Sequence, residues 1–287
     1  MIAWHIRRTV STDAEGFPLD RRLDRADAVI AFADTASDGP AVVLTHGAGM
    51  DHTMWEEQAV ALTDADYRVI LWDMRGHGES TLAPQARFTA ADALEDLAAL
   101  LKQCRVDRAV LVGHSLGGNL SQAFVRSHPD RAAGLIVVDA TWNTGPLSRL
   151  ERFALRLAAP SLTLIPARTL PGLMARASAI TPSAIRRTQR VFARMPKRRF
   201  LEVWTATVSF VDPDPEYRAP VPLALVRGAE DRTGNIATAM PRWAHAENIV
   251  EHVIPDAGHV VTWDAPGATS HTLRQVLDRW DRTAPPG

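Results

Sequence analysis

The chain has 287 residues, 46% hydrophobic and 23% charged, with 32 Lys and Arg against 33 Asp and Glu. That balance excludes the strongly basic face of a general nucleic-acid binder, and the apolar fraction excludes a disordered chain. The single cysteine, Cys104, excludes an intrachain disulfide and any zinc site that needs two thiolates. No run approaches the roughly 18 apolar residues of a membrane span. Residues 1–10 carry Arg7 and Arg8 without a signal-peptide core, so the expected location is the cytoplasm. The Ala- and Arg-rich composition is of a bacterial kind.

In chain order, an antiparallel strand or two is expected within residues 7–27. Apolar, β-branched runs follow at 28–32, 41–44, 68–72, 109–112, 135–138, 223–226 and 249–254. Several are apolar throughout, as strands covered on both faces are. Helical patterns separate them, the signature of a parallel sheet with crossover helices. Thr53 and Glu56 read as a capping box opening one helix. Thr89 caps a second, with Leu94, Leu97 and Leu101 at helical spacing. A third starts at Ser115 and ends before Pro129, and the last spans about 267–282. Between 141 and 219 no strand pattern appears. Amphipathic stretches there, such as 150–158, are punctuated by Pro146, Pro160, Pro166, Pro171, Pro182 and Pro196. This segment holds 13 basic and 5 acidic residues, against 19 and 28 elsewhere, so the neutral total conceals a basic insertion on an acidic body. The division expected is a sheet domain of residues 1–142 and 219–287, with a helical cap at 143–218.

The strongest motif is Gly113-His114-Ser115-Leu116-Gly117, directly after a strand and directly before a helix. That context makes G-x-S-x-G a nucleophile elbow, which exposes a serine hydroxyl at a tight turn beside a helix N-terminus. Three further motifs flank it in order. They are His46-Gly47-Ala48-Gly49, the turn Asp73-Met74-Arg75-Gly76-His77-Gly78-Glu79-Ser80, and Asp256-Ala257-Gly258-His259 with Trp263-Asp264-Ala265-Pro266 downstream.

Together the four motifs resemble those of the α/β-hydrolase fold family over essentially the whole chain. The resemblance implies an α/β architecture, a mostly parallel central sheet flanked by helices, with the helical cap inserted between the sixth and seventh strands. It implies a serine hydrolase in which Ser115 is the nucleophile, His259 the base and Asp231 the acid. Asp139, at the end of the sixth strand, is the alternative acid. The backbone N–H groups of Ala48 and Leu116 would form the oxyanion hole. His46 is expected to hold its loop, and the Asp73–Ser80 turn, with His77 and Glu79, to be structural.

A serine at the elbow separates this chain from relatives of the fold that use an aspartate there, namely epoxide hydrolases and haloalkane dehalogenases. Val260 after His259 departs from the tryptophan of many carbon–carbon hydrolases. An esterase or lactonase fits best, working through an acyl-enzyme on a small-molecule ester or lactone. The alternatives are a thioesterase, acyltransferase or perhydrolase on the same triad and, from another class, a non-catalytic small-ligand receptor. Neither a cofactor nor a metal is expected, since no H-E-x-x-H, P-loop or His/carboxylate cluster is evident. Met50, Trp142 and Val260 are candidates to line the substrate site. The arginines of the cap are expected to dock on the acidic body, with weak contact to an anionic surface as a further possibility.

Overall fold

The computed structural model describes residues 17–148, 151 and 162–283. The strand expectation before residue 17 and most of the 150–158 stretch lie outside the described residues.

The strands are β1 (Arg21–Asp24), β2 (Ala28–Asp34), β3 (Ala41–Thr45), β4 (Arg68–Trp72), β5 (Thr81–Leu82), β6 (Ala109–His114), β7 (Ala132–Val138), β8 (Leu223–Gly228) and β9 (His252–Ile254). They form one sheet in the order β1-β2-β4-β3-β6-β7-β8-β9, with β5 paired to β2. β1 and β2 pair antiparallel, and β2 runs antiparallel to β4. From β4 through β9 every neighbouring pair on that path is parallel. The two-residue β5 was not anticipated. At that length neither periodicity nor composition carries a signal.

The helices are α1 (Glu56–Thr63), α2 (Ala90–Gln103), α3 (Leu116–Ser127), α4 (Leu170–Ser178), α5 (Pro182–Arg194), α6 (Lys197–Ser209), α7 (Ile236–Ala246), α8 (Val261–Asp264) and α9 (Pro266–Thr283). Thr89 caps α2 by accepting from Asp92 N–H, as expected. The Thr53 capping box does not form. Asp51 caps a 3-10 turn over His52–Trp55 instead, accepting from Thr53 N–H, and α1 begins only at Glu56. An aspartate one residue before the turn outcompetes the threonine within it.

Alternation along each strand sends side chains to two apolar layers. Val42, Leu44, Val69, Leu71, Val110 and Val112 face the layer that holds Trp55, Leu62, Leu273 and Leu277. Val43, Ile70, Trp72 and Leu111 face the layer of Leu97, Leu120, Phe124 and Met240. Most of these side chains are fully buried, and each contributes about 1.5–3 kcal/mol. Both layers hold the parallel strands in register, so the strand ends that carry the candidate site are fixed together.

Helices α4, α5 and α6 lie between β7 and β8 in the chain, and no strand occurs in 141–219 among the described residues. No helix among the described residues is long and apolar enough to cross a membrane.

Candidate active site

Ser115 stands between β6 and α3 with φ +51° and ψ −117°, a conformation that costs an ordinary residue about 1–3 kcal/mol. The turn is enforced on both sides. Ser115 N–H donates to Val138 O at 2.9 Å and its carbonyl accepts from Asn119 N–H at 2.9 Å. The backbone passes so close to β3 that a Cβ on Gly117 would lie 2.6 Å from the His46 carbonyl. The Ser115 side chain is partly exposed and makes no hydrogen bond among the described residues. Among the described residues the Leu116 N–H, which opens α3, has no acceptor, and neither has the Ala48 N–H in the loop after β3. Two unpaired donors thus flank the serine, one from each loop.

His46 holds the β3 loop. Its Nε2 accepts from Met74 N–H at 2.9 Å, so its Nδ1 carries the proton and donates to Gly47 O at 2.8 Å. Burial drives its pKa down to about 4, which keeps the ring neutral. The Asp73 turn is likewise structural. Asp73 accepts from His52 N–H, His52 Nδ1 and Glu79 N–H. Glu79 pairs with Arg22, and buried His77 packs against His46 and Phe88.

The loops after β8 and β9 bring Asp231 and His259 together, with Asp231 Oδ2 3.0 Å from His259 Nδ1. Burial opposes ionisation of Asp231, but the His259 charge, its Nδ1–H and the Thr233 N–H outweigh it and lower the pKa to about 2. Glu230 N–H donates to Ala257 O at 2.9 Å, which ties the two loops together.

Sequence reasoning missed the residue that docks this pair on the elbow. His114, just before Ser115, donates from Nε2 to the His259 carbonyl at 2.7 Å, and the two rings lie 4.7 Å apart. Burial lowers its pKa to about 3, so His114 is a neutral fixed donor. Its partner lies 145 residues away, a distance no local pattern encodes.

Asp139 is also present, fully buried at the end of β7 with φ +44°. Its Oδ1 accepts from Gly228 N–H at 2.9 Å. Burial and the neighbouring Asp231 charge raise its carboxyl well above the usual range. Asp139, Asp231 and His259 form the kind of His/carboxylate group that the sequence did not reveal, because its members lie 28 to 120 positions apart.

Asp264, quoted in the last motif without a role, joins the His259 loop to the α4–α5 junction. It accepts from Gly258 N–H at 3.0 Å, Thr181 N–H at 2.8 Å, Thr181 Oγ1 at 2.8 Å and Ile180 N–H at 3.1 Å. Val260 N–H adds a bond to Ser178 O at 2.9 Å. On the other side, a Cβ on Gly49 would lie 2.7 Å from the Phe200 ring, so α6 rests on the β3 loop. Met50 and Val260 are buried beside these loops. Trp142 is buried as well and stacks on Trp243 of α7 at 5.8 Å.

Residues 40–266 match the family model described as alpha/beta hydrolase fold. The chain belongs to the α/β-hydrolase fold family. It is 24% identical to 3-oxoadipate enol-lactonase 2 of Acinetobacter baylyi over 85% of this chain and 91% of that protein. It is 35% identical to epoxide hydrolase B of Mycobacterium tuberculosis, over only 39% of this chain and 32% of that protein. The chain spans less than half the length of the curated relatives it matches above 30% identity. Among solved structures, a thermophilic esterase from Thermogutta terrifontis superposes with a TM-score of 0.75 at 27% identity, covering 91% of this α/β-hydrolase and 99% of that chain.

Proposed function

We propose that this α/β-hydrolase cleaves a carboxylic ester or lactone through an acyl-enzyme. The observation that carries the reading is the docking of the Asp231–His259 pair on the Ser115 elbow through His114. With Nδ1 held by Asp231, the His259 Nε2 is the nitrogen left to deprotonate Ser115 Oγ. That bond forms when substrate binds, as catalytic hydrogen bonds commonly reach full alignment only in the substrate complex. Ser115 attacks the carbonyl carbon, and the charge that develops on its oxygen is met by the Ala48 and Leu116 N–H groups. His259 then protonates the leaving alkoxide, and water deacylates the serine by the same route in reverse.

The enol-lactonase relative and the esterase neighbour favour an ester or lactone over the epoxide of the shorter match, since a serine replaces the aspartate that epoxide opening in this fold uses. Residues 143–218 act in this reading as the cap that walls the site. Its support is the contact of Phe200 with the Gly49 loop and the Asp264 tie at the α4–α5 junction. These ties support a wall anchored to the loops of Gly49 and His259.

A fluorophosphonate probe should label the native protein at Ser115, and a panel of acyl esters, lactones and thioesters should rank the substrates. Equal labelling of Ser115→Ala would remove the nucleophile assignment. Turnover of thioesters well above both oxygen esters and lactones would move the reading to a thioesterase.

A further inference from the structure

Asp139 and Asp231 compete in the sequence for a single role, yet the fold places both beside His259. One oxygen of each carboxyl and one ring nitrogen lie within 4.8 Å of one another, all three residues buried. Three of the four carboxyl oxygens are satisfied. Asp231 Oδ2 meets His259 Nδ1, Asp231 Oδ1 accepts from Thr233 N–H, and Asp139 Oδ1 accepts from Gly228 N–H. Among the described residues the fourth, Asp139 Oδ2, is buried without a hydrogen-bond partner.

Among the described residues no cation forms an ion pair with Asp139. The charged and titratable groups facing Asp139 are Asp231 and His259 on the two loops and Arg227 on β8. Arg227 is spent on Glu251 at 2.8 Å and the Gly228 carbonyl at 2.9 Å. Two buried carboxylates this close share a proton, since one imidazole cannot balance both. A proton on Oδ2 removes the second charge and converts the orphaned acceptor into a donor, with the Asp231 carboxylate its neighbour in the cluster.

We propose that Asp139 is a positioning residue, held as a neutral carboxylic acid whose O–H donates to Asp231 and fixes the carboxylate that orients His259. The proton stays on Asp139 throughout turnover. Its retention leaves the imidazolium facing one negative charge, so His259 can still release its proton to the leaving group. The strained backbone at Asp139, locked by Asp139 N–H to Val226 O at 2.9 Å, holds the carboxyl in place. The proposal rests on the triad reading only in assigning Asp231 as the orienting acid.

Infrared spectroscopy of the native protein at pH 7 should show a protonated-carboxyl C=O stretch that disappears in Asp139→Asn. This readout needs no activity, so it stands apart from the labelling of Ser115. In kinetics, Asp139→Val, which removes the donor, should lose about 10- to 100-fold in kcat. Asp139→Asn, whose amide can both accept from Gly228 and donate to Asp231, should recover most of that loss. In Asp231→Asn, Asp139 should ionise and serve as reserve acid, leaving that variant at least about 10-fold more active than Asp231→Asn/Asp139→Asn. Absence of the band, equal kcat in Asp139→Val and Asp139→Asn, or equal kcat in the single and double Asp231 variants would each overturn the proposal.

Discussion

Around Ser115 the geometry is set mainly by backbone. Strand register places β3, β6 and β7 side by side, glycines let the chains touch, and the Val138 carbonyl of β7 fixes the serine by accepting its N–H. Around His259 the loops are pinned by side chains drawn from distant positions, namely Asp231, His114 and Asp264. A site can thus be half moulded and half bolted. The moulded half tolerates no added atom, while the bolted half depends on single groups that can be removed one at a time.

The largest effect should follow removal of the proposed nucleophile. Ser115→Ala is expected to lower kcat by about 10⁴- to 10⁶-fold without a change in fold, measured on an activated ester with circular dichroism as the control. On the bolted side, Asp231→Asn should cost about 10⁴-fold through loss of the imidazole tautomer and its stabilising charge. Retention of activity within tenfold would show that another group orients His259. The same variant tests acid stability. The Asp231 carboxyl lies at about 2 in the folded chain against an ordinary 3.8. Its charge therefore adds stability that is complete above about pH 4 and lost as the pH falls toward 2. The Tm advantage of the native protein over Asp231→Asn should shrink through that window, and a constant gap from pH 6 to 2 would refute the linkage.

Gly117→Ala probes the moulded side. Its Cβ would press on the Thr45 and His46 carbonyls, backbone atoms that cannot turn away. A loss of about 3 kcal/mol in chemical denaturation is expected. Asp264→Ala should act the other way round, sparing most of the stability while lowering kcat about 10- to 100-fold, because Gly258 next to His259 loses its anchor. A drop in stability with unchanged kcat would make Asp264 a fastener of the helical segment only.

The smallest effect concerns the basic segment. Arg187 lies 3.6 Å from Glu57 and over the Trp263 ring at 4.6 Å, and Arg194 reaches Asp51. Arg198 and Arg199 donate to the Pro84 and Ala86 carbonyls. These contacts favour docking on the sheet domain. Arg187→Ala should cost about 1 kcal/mol or less, and kcat/KM for a neutral ester should be flat in salt. Salt-sensitive binding to anionic vesicles would instead give the surface a ligand role.

This division also explains what was legible in the sequence. The elbow, the His46 loop and the parallel strands were readable because each is a short pattern with its partner fixed by strand order. Asp231 and His259 could be named from their turns. The bonds of His114, Asp264 and Asp139 could not, since each joins a local motif to a group 80 or more residues away. The start of α1 was misplaced by competition between two neighbouring capping side chains, Asp51 and Thr53, which residue type alone does not rank.

The paired indoles of Trp142 and Trp243, 5.8 Å apart and only 3° from parallel, have an optical consequence. Trp142 stands where the chain leaves β7 for the helical segment, while Trp243 belongs to α7 against the sheet. Rings so close couple their electronic transitions, and the coupling depends steeply on separation and tilt. The protein therefore carries an unlabelled reporter at the root of its helical segment. Circular dichroism in the aromatic region should register displacement of that root during turnover, and Trp142→Phe should silence the signal.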